Sequence, residues 1–292
     1  MSRIHPVVLV LIAIASVQFG AALAKGVFDA AHPATLAFLR AALGGLVFLL
    51  IARPRVTGRS RRDWLVAVGY GLCLSGMNLL IYLSFARIPI GLAVTLEFVG
   101  PLALAVLGSR RAVDLIWVAL AAMGVLLLGS GPTEPDLVGI ALALGAGALW
   151  AGYIVLAGPL GRRWEGTSGL TVGSLIGAAA LAGPGLALSG GSLGDPRVLG
   201  VIALVALLST VIPYALELRA RRSIAAGTFG ILMSLEPAAA ALFAWVVLEE
   251  LLHPVEWLAM AAVIAASIGA IRTARRGTHG QAALGDTRTE GA

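Results

Sequence analysis

Eight polar side chains stand inside stretches that are otherwise apolar, and their chemistry suits the capture of a small zwitterion. Glu97 lies near the middle of the run 90–107, Arg40 lies inside 33–52, and Glu236 immediately precedes Pro237. Gln18, Asn78, Tyr82, Trp150 and Tyr214 are embedded in four further runs. Arg40 or Lys25 can hold a carboxylate, Glu97 an ammonium and Asn78 a hydroxyl. A carboxylate that cannot keep a proton and an ammonium together makes those two occupants mutually exclusive. Glu97 is therefore the expected proton-coupling group, with Glu236 as a second candidate.

An ionisable side chain at the bilayer centre costs about 2.5 to 3.5 kcal/mol on insertion scales, so such residues usually face a bundle interior and mark a pathway. Each also has a structural alternative. Arg40 can form an ion pair with a carboxylate that only joins helices, Glu236 can bond nearby backbone, and Trp150 can be ordinary packing. Lys25, Asp114 and Glu217 lie near span ends, where they are expected to snorkel to the interface, although Lys25 could also face the outer mouth of a cavity. Ser209, Thr210, Thr228 and Ser234 are expected to bond helix backbone, and Tyr153 adds one more polar group.

The elements that position these residues follow from composition. Of 292 residues, 59% are hydrophobic and 12% charged, and the mean hydropathy is +0.95, far from the usage of soluble domains. Windows of about 20 apolar residues, enough to cross a hydrocarbon core, fall at 6–25, 33–52, 64–85, 89–108, 113–130, 137–157, 168–188, 198–217, 224–247 and 254–271. They predict an all-α integral membrane protein with ten transmembrane helices, in contact with lipid. Arg3, His5 and Ala22-Leu23-Ala24 imitate a cleavable signal peptide, but Gln18 and the spans that follow favour an uncleaved first helix. Residues 272–292 are polar and are expected to be a disordered tail.

Arginine sets the orientation, because positive residues are retained in the cytoplasm. With the N-terminus inside, the cytoplasmic segments hold Arg3, the cluster Arg53, Arg55, Arg59, Arg61 and Arg62, then Arg110 and Arg111, Arg162 and Arg163, Arg219, Arg221 and Arg222, and finally Arg272, Arg275, Arg276 and Arg288. These are 17 of the 21 basic residues. The outer segments hold only Lys25, Arg87 and Arg197, and Arg40 is inside a span. Both termini are therefore expected in the cytoplasm.

The two halves resemble each other. Placing Pro101 over Pro237 also aligns Ile88 with Ile224, Gly91 with Gly227, Leu96 with Leu232, Ala103 with Ala239 and Ala105 with Ala241. A small gap brings Trp117 to Trp257, and another offset brings Phe19 to Trp150. Two five-span repeats, 6–130 and 137–271, would enter the membrane from opposite sides, an arrangement whose substrate site lies between the halves near the midplane. Proline has no N–H to give the carbonyl four residues before it. Pro101 thus frees the carbonyl of Glu97 and Pro237 that of Met233. The glycines, including Gly44-Gly45 and Gly145-x-Gly147, read as close helix contacts.

Six stretches carry a family likeness: Ala15–Lys25, Leu96–Ala103, Ser109–Asp114, Ala141–Trp150, Leu208–Tyr214 and Gly227–Pro237. Through them the chain resembles the EamA-type, ten-helix branch of the drug/metabolite transporter superfamily. The resemblance implies an inverted five-plus-five fold in a bacterial inner membrane and export of small molecules, with amino acids of the threonine type as the first expected cargo. Phe19 stands where many EamA-type halves have tryptophan, and no arginine in the second half corresponds to Arg40. The halves are therefore expected to contribute unequally.

Other classes fare worse. The histidines, His5, His32, His253 and His279, fall at span ends or in the tail, so no buried Ser/His dyad forms and an intramembrane enzyme is disfavoured. No Walker motif is present, so ATP does not drive this chain alone. The net charge of +6 is scattered in short clusters, which argues against nucleic acid. With a lone cysteine, Cys73, no thiolate metal cluster or disulfide is expected, and no cofactor. Efflux of lipophilic drugs or exchange of other metabolites remains the rival to amino-acid export, although only 6% of residues are aromatic.

Overall fold

In the computed structural model, residues 5–107, 113–127, 136–221 and 223–289 are described, with the side chains at 218, 221, 226, 227 and from 274 onward left aside. The described residues are helical throughout their ordered elements, without a strand. Among the described residues nine helices are long and apolar enough to cross a membrane: α1 Pro6–Lys25, α2 Pro33–Ala52, α3 Arg61–Phe85, α4 Ile90–Leu107, α6 Leu137–Arg163, α7 Ser168–Ala187, α8 Pro196–Glu217, α9 Thr228–Leu248 and α10 Pro254–Thr273. The last belongs to a helix running Pro254–Thr289. Between α4 and α6 lies α5, Asp114–Leu127, a shorter apolar helix of 14 residues. Residues 128–130 of the expected fifth span, 113–130, lie outside those described. The expected tail falls mostly on side chains outside them.

The helix starts are written in the sequence. His5, His32 and His253 each precede a proline and each accepts a hydrogen bond at Nδ1 from the second following backbone N–H, at 3.3, 3.2 and 3.5 Å. Proline at the first helical position needs no donor of its own, and the imidazole satisfies the next one. Ser60 and Asp63 form a reciprocal capping box for α3, and Asp136 caps α6 by accepting from Gly139 at 2.8 Å. That hydrogen bond, helped by Arg87, holds the Asp136 carboxyl below the ordinary carboxylate range.

Proline breaks the helices where expected. α4 is interrupted at Phe98 and α9 between Met233 and Glu236, each break lying just before its proline. α8 carries a π-type turn at Leu207–Val211, next to Pro213.

α3 packs on α6 and α7, α2 on α7 and α8, α1 on α8 and α9, α4 on α6 and α9, and α5 on α10. Glycine permits the closest approaches. A Cβ on Gly91 would lie 2.8 Å from that of Ala241, and one on Gly44 2.8 Å from Thr210. Gly147 faces the carbonyl of Glu97 and Gly100 too closely for any side chain.

Candidate transport cavity

A cavity of about 740 Å³ opens among α1–α4 and α6–α10, and all eight sequence-predicted residues line it: Gln18, Arg40, Asn78, Tyr82, Glu97, Trp150, Tyr214 and Glu236. The eight expected residues come from α1, α2, α3, α4, α6, α8 and α9; α7 and α10 also contribute. Leu170, Glu217, Ile224 and Ile271 carry it to the arginine-bearing ends of the helices. Toward the opposite ends its floor is formed by Ala21, Ala37 and Val94, each about one turn inside its helix, and by the buried ring of Phe85 at the end of α3.

Arg40 is held by two helices other than its own. Its guanidinium donates to Tyr82 Oη at 3.3 Å and to the Ser209 carbonyl at 3.3 Å, and lies 5.6 Å from the Tyr82 ring centroid. The Ser209 carbonyl is available because Pro213, four residues on, offers no N–H. Ser16 Oγ takes the neighbouring Leu208 carbonyl at 2.6 Å, and Ser209 Oγ donates to Val17 at 3.3 Å. The π-type turn, an irregularity often found at functional sites, is thereby tied to α1 and α2. The rule applied to Pro101 and Pro237 would have found this third freed carbonyl; the sequence reading did not apply it to Pro213.

Arg40 makes no ion pair among the described residues, so the purely structural Arg40–carboxylate bridge does not form, although its charge reaches Glu97. Glu97 and Glu236 are each 8% exposed. Neither accepts a hydrogen bond among the described residues, which sets aside the backbone-bonded alternative for Glu236. Gln18 is buried. Asn78 spends one N–H on the Leu74 carbonyl at 2.7 Å, leaving its second N–H and its oxygen. Trp150 meets Phe98 edge-on at 5.1 Å, and Tyr214 meets Phe48 at 5.2 Å.

Three expectations are corrected. Lys25 does not face the cavity: it pairs with Glu250 and donates to the Ile88 carbonyl at 3.1 Å, which leaves Arg40 as the basic side chain in the described lining. Asp114 does not snorkel but is buried, accepting from Thr273 at 2.7 Å. Glu217, half-buried, lines the cavity near its arginine-bearing end. Ser267 on α10 was also missed. Its hydroxyl is buried in the lining without a partner, and a lone serine in an apolar run gives no signal above its many equivalents.

Among the described residues no group of His, Cys, Asp and Glu could hold a metal ion. Comparison with known proteins gives one consistent relation. Residues 137–272 match the model of the EamA-like transporter family. The chain is 43% identical to the threonine/homoserine exporter RhtA of Escherichia coli K12, over 93% of this chain and 92% of that one. It is 44% identical to the exporter of the same name from Salmonella typhimurium SL1344, with the same coverage. Among solved proteins, a crystal structure with 19% identity superposes with a TM-score of 0.62 over 92% of this chain and 98% of that one, a likeness of fold alone.

Proposed function

The chain belongs to the EamA-like transporter family, and on that premise we propose that it is a secondary-active exporter of amino acids of the threonine/homoserine type, driven by proton antiport. It is a transporter and not an enzyme. The observation that carries the cargo assignment is the gathering of Arg40, Glu97, Asn78 and Gln18 on one cavity. Arg40 takes the cargo carboxylate, Glu97 the ammonium, and Asn78 with Gln18 the hydroxyl. Tyr82 steadies Arg40, while Trp150 and Tyr214 wall the site. Efflux of other metabolites by the same fold is the second reading, favoured by a cavity several times larger than threonine needs.

Ten spans in two inverted repeats, 6–130 and 137–271, suit the packing. Exchanging the halves turns α3 on α6 into α8 on α1, α3 on α7 into α8 on α2, and α1 on α9 into α6 on α4, all of which occur. Cross-loop bonds agree with the parity of ten spans. Arg163–Asp63 joins two arginine-rich ends, whereas Arg87–Asp136 and Lys25–Glu250 join opposite ones. With the arginine-rich side assigned to the cytoplasm of a bacterial inner membrane, together with both termini and the tail 272–292, the cavity is in its inward-open state.

In the antiport cycle a protonated Glu97 meets the cargo ammonium from the cytoplasmic side and releases its proton as the ammonium binds. Once the site is exposed outside, cargo leaves and a proton returns. The break at Phe98, beneath Pro101, places Glu97 at the point where α4 can bend. The test is export of labelled threonine, homoserine and a lipophilic cation in inverted vesicles with an imposed pH gradient. Glu97→Gln is expected to abolish gradient-driven export while the protein still reaches the membrane. Full gradient-driven export by well-expressed Glu97→Gln would falsify the coupling role.

A further inference from the structure

The charges lining the cavity do not balance for a simple zwitterion. Arg40 is the basic side chain in the described lining, opposed by Glu97, Glu217 and Glu236. Glu217 has a partner of its own. Glu97 and Glu236 have none among the described residues, although each is more than nine-tenths buried. Ser267, at 3% exposure, likewise presents a hydroxyl without a partner to the same cavity. Buried polar groups left unpaired are costly, so this set reads as a site awaiting a ligand with more than one cationic end.

The two carboxylates lie at one level. α4 and α9 touch closely at Gly91 and Ala241 and run antiparallel, since Glu250 beyond the end of α9 accepts from Ile90 at the start of α4, at 3.0 Å. From that crossing Glu97 is about 9 Å along α4 and Glu236 about 7.5 Å back along α9 at helical rise. Both therefore face the cavity at the same depth, each beside a proline break in its helix.

Resting on the exporter reading above, we propose that the cavity carries a second class of cargo, α,ω-diamino acids: the carboxylate on Arg40, the α-ammonium on Glu97 and the distal ammonium on Glu236. A monoamino zwitterion fills the first two positions and leaves Glu236 protonated throughout its passage. A diamino acid displaces both protons. The exchange is then one proton for a zwitterion and two for a diamino acid. Each cycle moves one net positive charge inward: one proton against a neutral cargo, or two against a monocation.

The experiment uses the full-length protein in liposomes with an internal pH indicator, an imposed pH gradient, and labelled threonine, ornithine and lysine. Wild type is expected to carry all three, with a proton-to-cargo ratio twice as high for the diamino acids. Glu236→Gln should lower kcat/KM for ornithine and lysine relative to threonine by about 10-fold or more, the loss expected for a charge-assisted hydrogen bond. Glu236→Asp should keep most of that ratio, and Glu97→Gln should impair every cargo. Elution as one species in detergent verifies each variant's fold. Threonine transport with neither diamino acid carried nor competing overturns the proposal, as does an equal loss for all cargoes in Glu236→Gln. Transport of diamino acids without threonine leaves it standing and removes the threonine assignment instead. Transport of none removes both.

Discussion

Breaking the Lys25–Glu250 bridge should open the cavity to the side that is now closed. The α9 helix ends in a turn with Glu249 in the left-handed region at φ 59°, which aims Glu250 at the end of α1 and the start of α4. There Glu250 pairs with Lys25 and accepts the Ile90 N–H at 3.0 Å, while Lys25 donates to the Ile88 carbonyl at 3.1 Å. Three helix ends, those of α1, α4 and α9, are thus tied over the cavity floor. The side chains are 20% and 18% exposed, so the ion pair is worth about 1 kcal/mol, the upper end for surface pairs. The carboxylate at the N-terminus of α4 adds about 0.3 to 1 kcal/mol through the helix dipole. Glu250→Gln keeps a neutral acceptor for Ile90 and loses both charge effects, about 1 to 2 kcal/mol, or roughly 5- to 30-fold in the ratio of closed to open states. The assay is labelling of Ala21→Cys by a membrane-impermeant maleimide from outside intact cells, in a Cys73→Ala background. Glu250→Gln should raise the labelling rate about 5- to 30-fold, by that population shift. Exchanging the charges, Lys25→Glu with Glu250→Lys, restores the pair but not the acceptor for Ile90, so it should recover only part of the effect. An unchanged rate in Glu250→Gln, or no recovery in the exchanged protein, refutes the reasoning.

Other outcomes follow from single contacts. Gly147→Ala drives a methyl group into the Glu97 carbonyl and Gly100, so thermal unfolding in detergent should show a loss of about 1 to 3 kcal/mol, while Gly161→Ala, open on every side, should show none. Pro213→Ala restores an N–H for the Ser209 carbonyl and competes with Arg40; apparent cargo affinity should fall several-fold, about 1 kcal/mol, with protein yield unchanged. The Asp136 carboxyl is held down by its hydrogen bond from Gly139. Its contribution to stability is present above the unfolded value near ~4 and is lost as pH falls through the lower folded value. Wild-type and Asp136→Asn midpoints should therefore differ at pH 7 and converge in acid.

Much of this protein was legible in its sequence because the informative signals are local. A polar group in an apolar run must find company, whatever the rest of the chain does, and so Gln18, Arg40, Asn78, Tyr82, Glu97, Trp150, Tyr214 and Glu236 could be picked out one at a time. They meet on one cavity. Proline withholds its N–H from a carbonyl at a known offset, so the breaks in α4 and α9 could be placed from Pro101 and Pro237. His-Pro pairs mark three helix starts for the same local reason, although only the structure assigned the imidazoles their bonds.

Tertiary structure alone decided which side chains answer one another. Lys25 and Glu250 are far apart in sequence, and nothing near either residue says that α1 and α9 end side by side. By residue type Lys25 offered a second cation for the site beside the deeper Arg40, but a turn at Glu249 aims Glu250 at Lys25 and removes Lys25 from the cavity. Asp114 and Glu217 sit near helix ends where exposure is the default, yet the rotation of α5 against α10 buries one and that of α8 turns the other inward. Packing likewise brings α7 and α10 to the cavity. Helix rotation and crossing are set by close contacts such as Gly91 on Ala241 and Gly147 on Gly100, and each depends on two segments at once. A chain read one window at a time shows which residues need a partner, and packing chooses the partner.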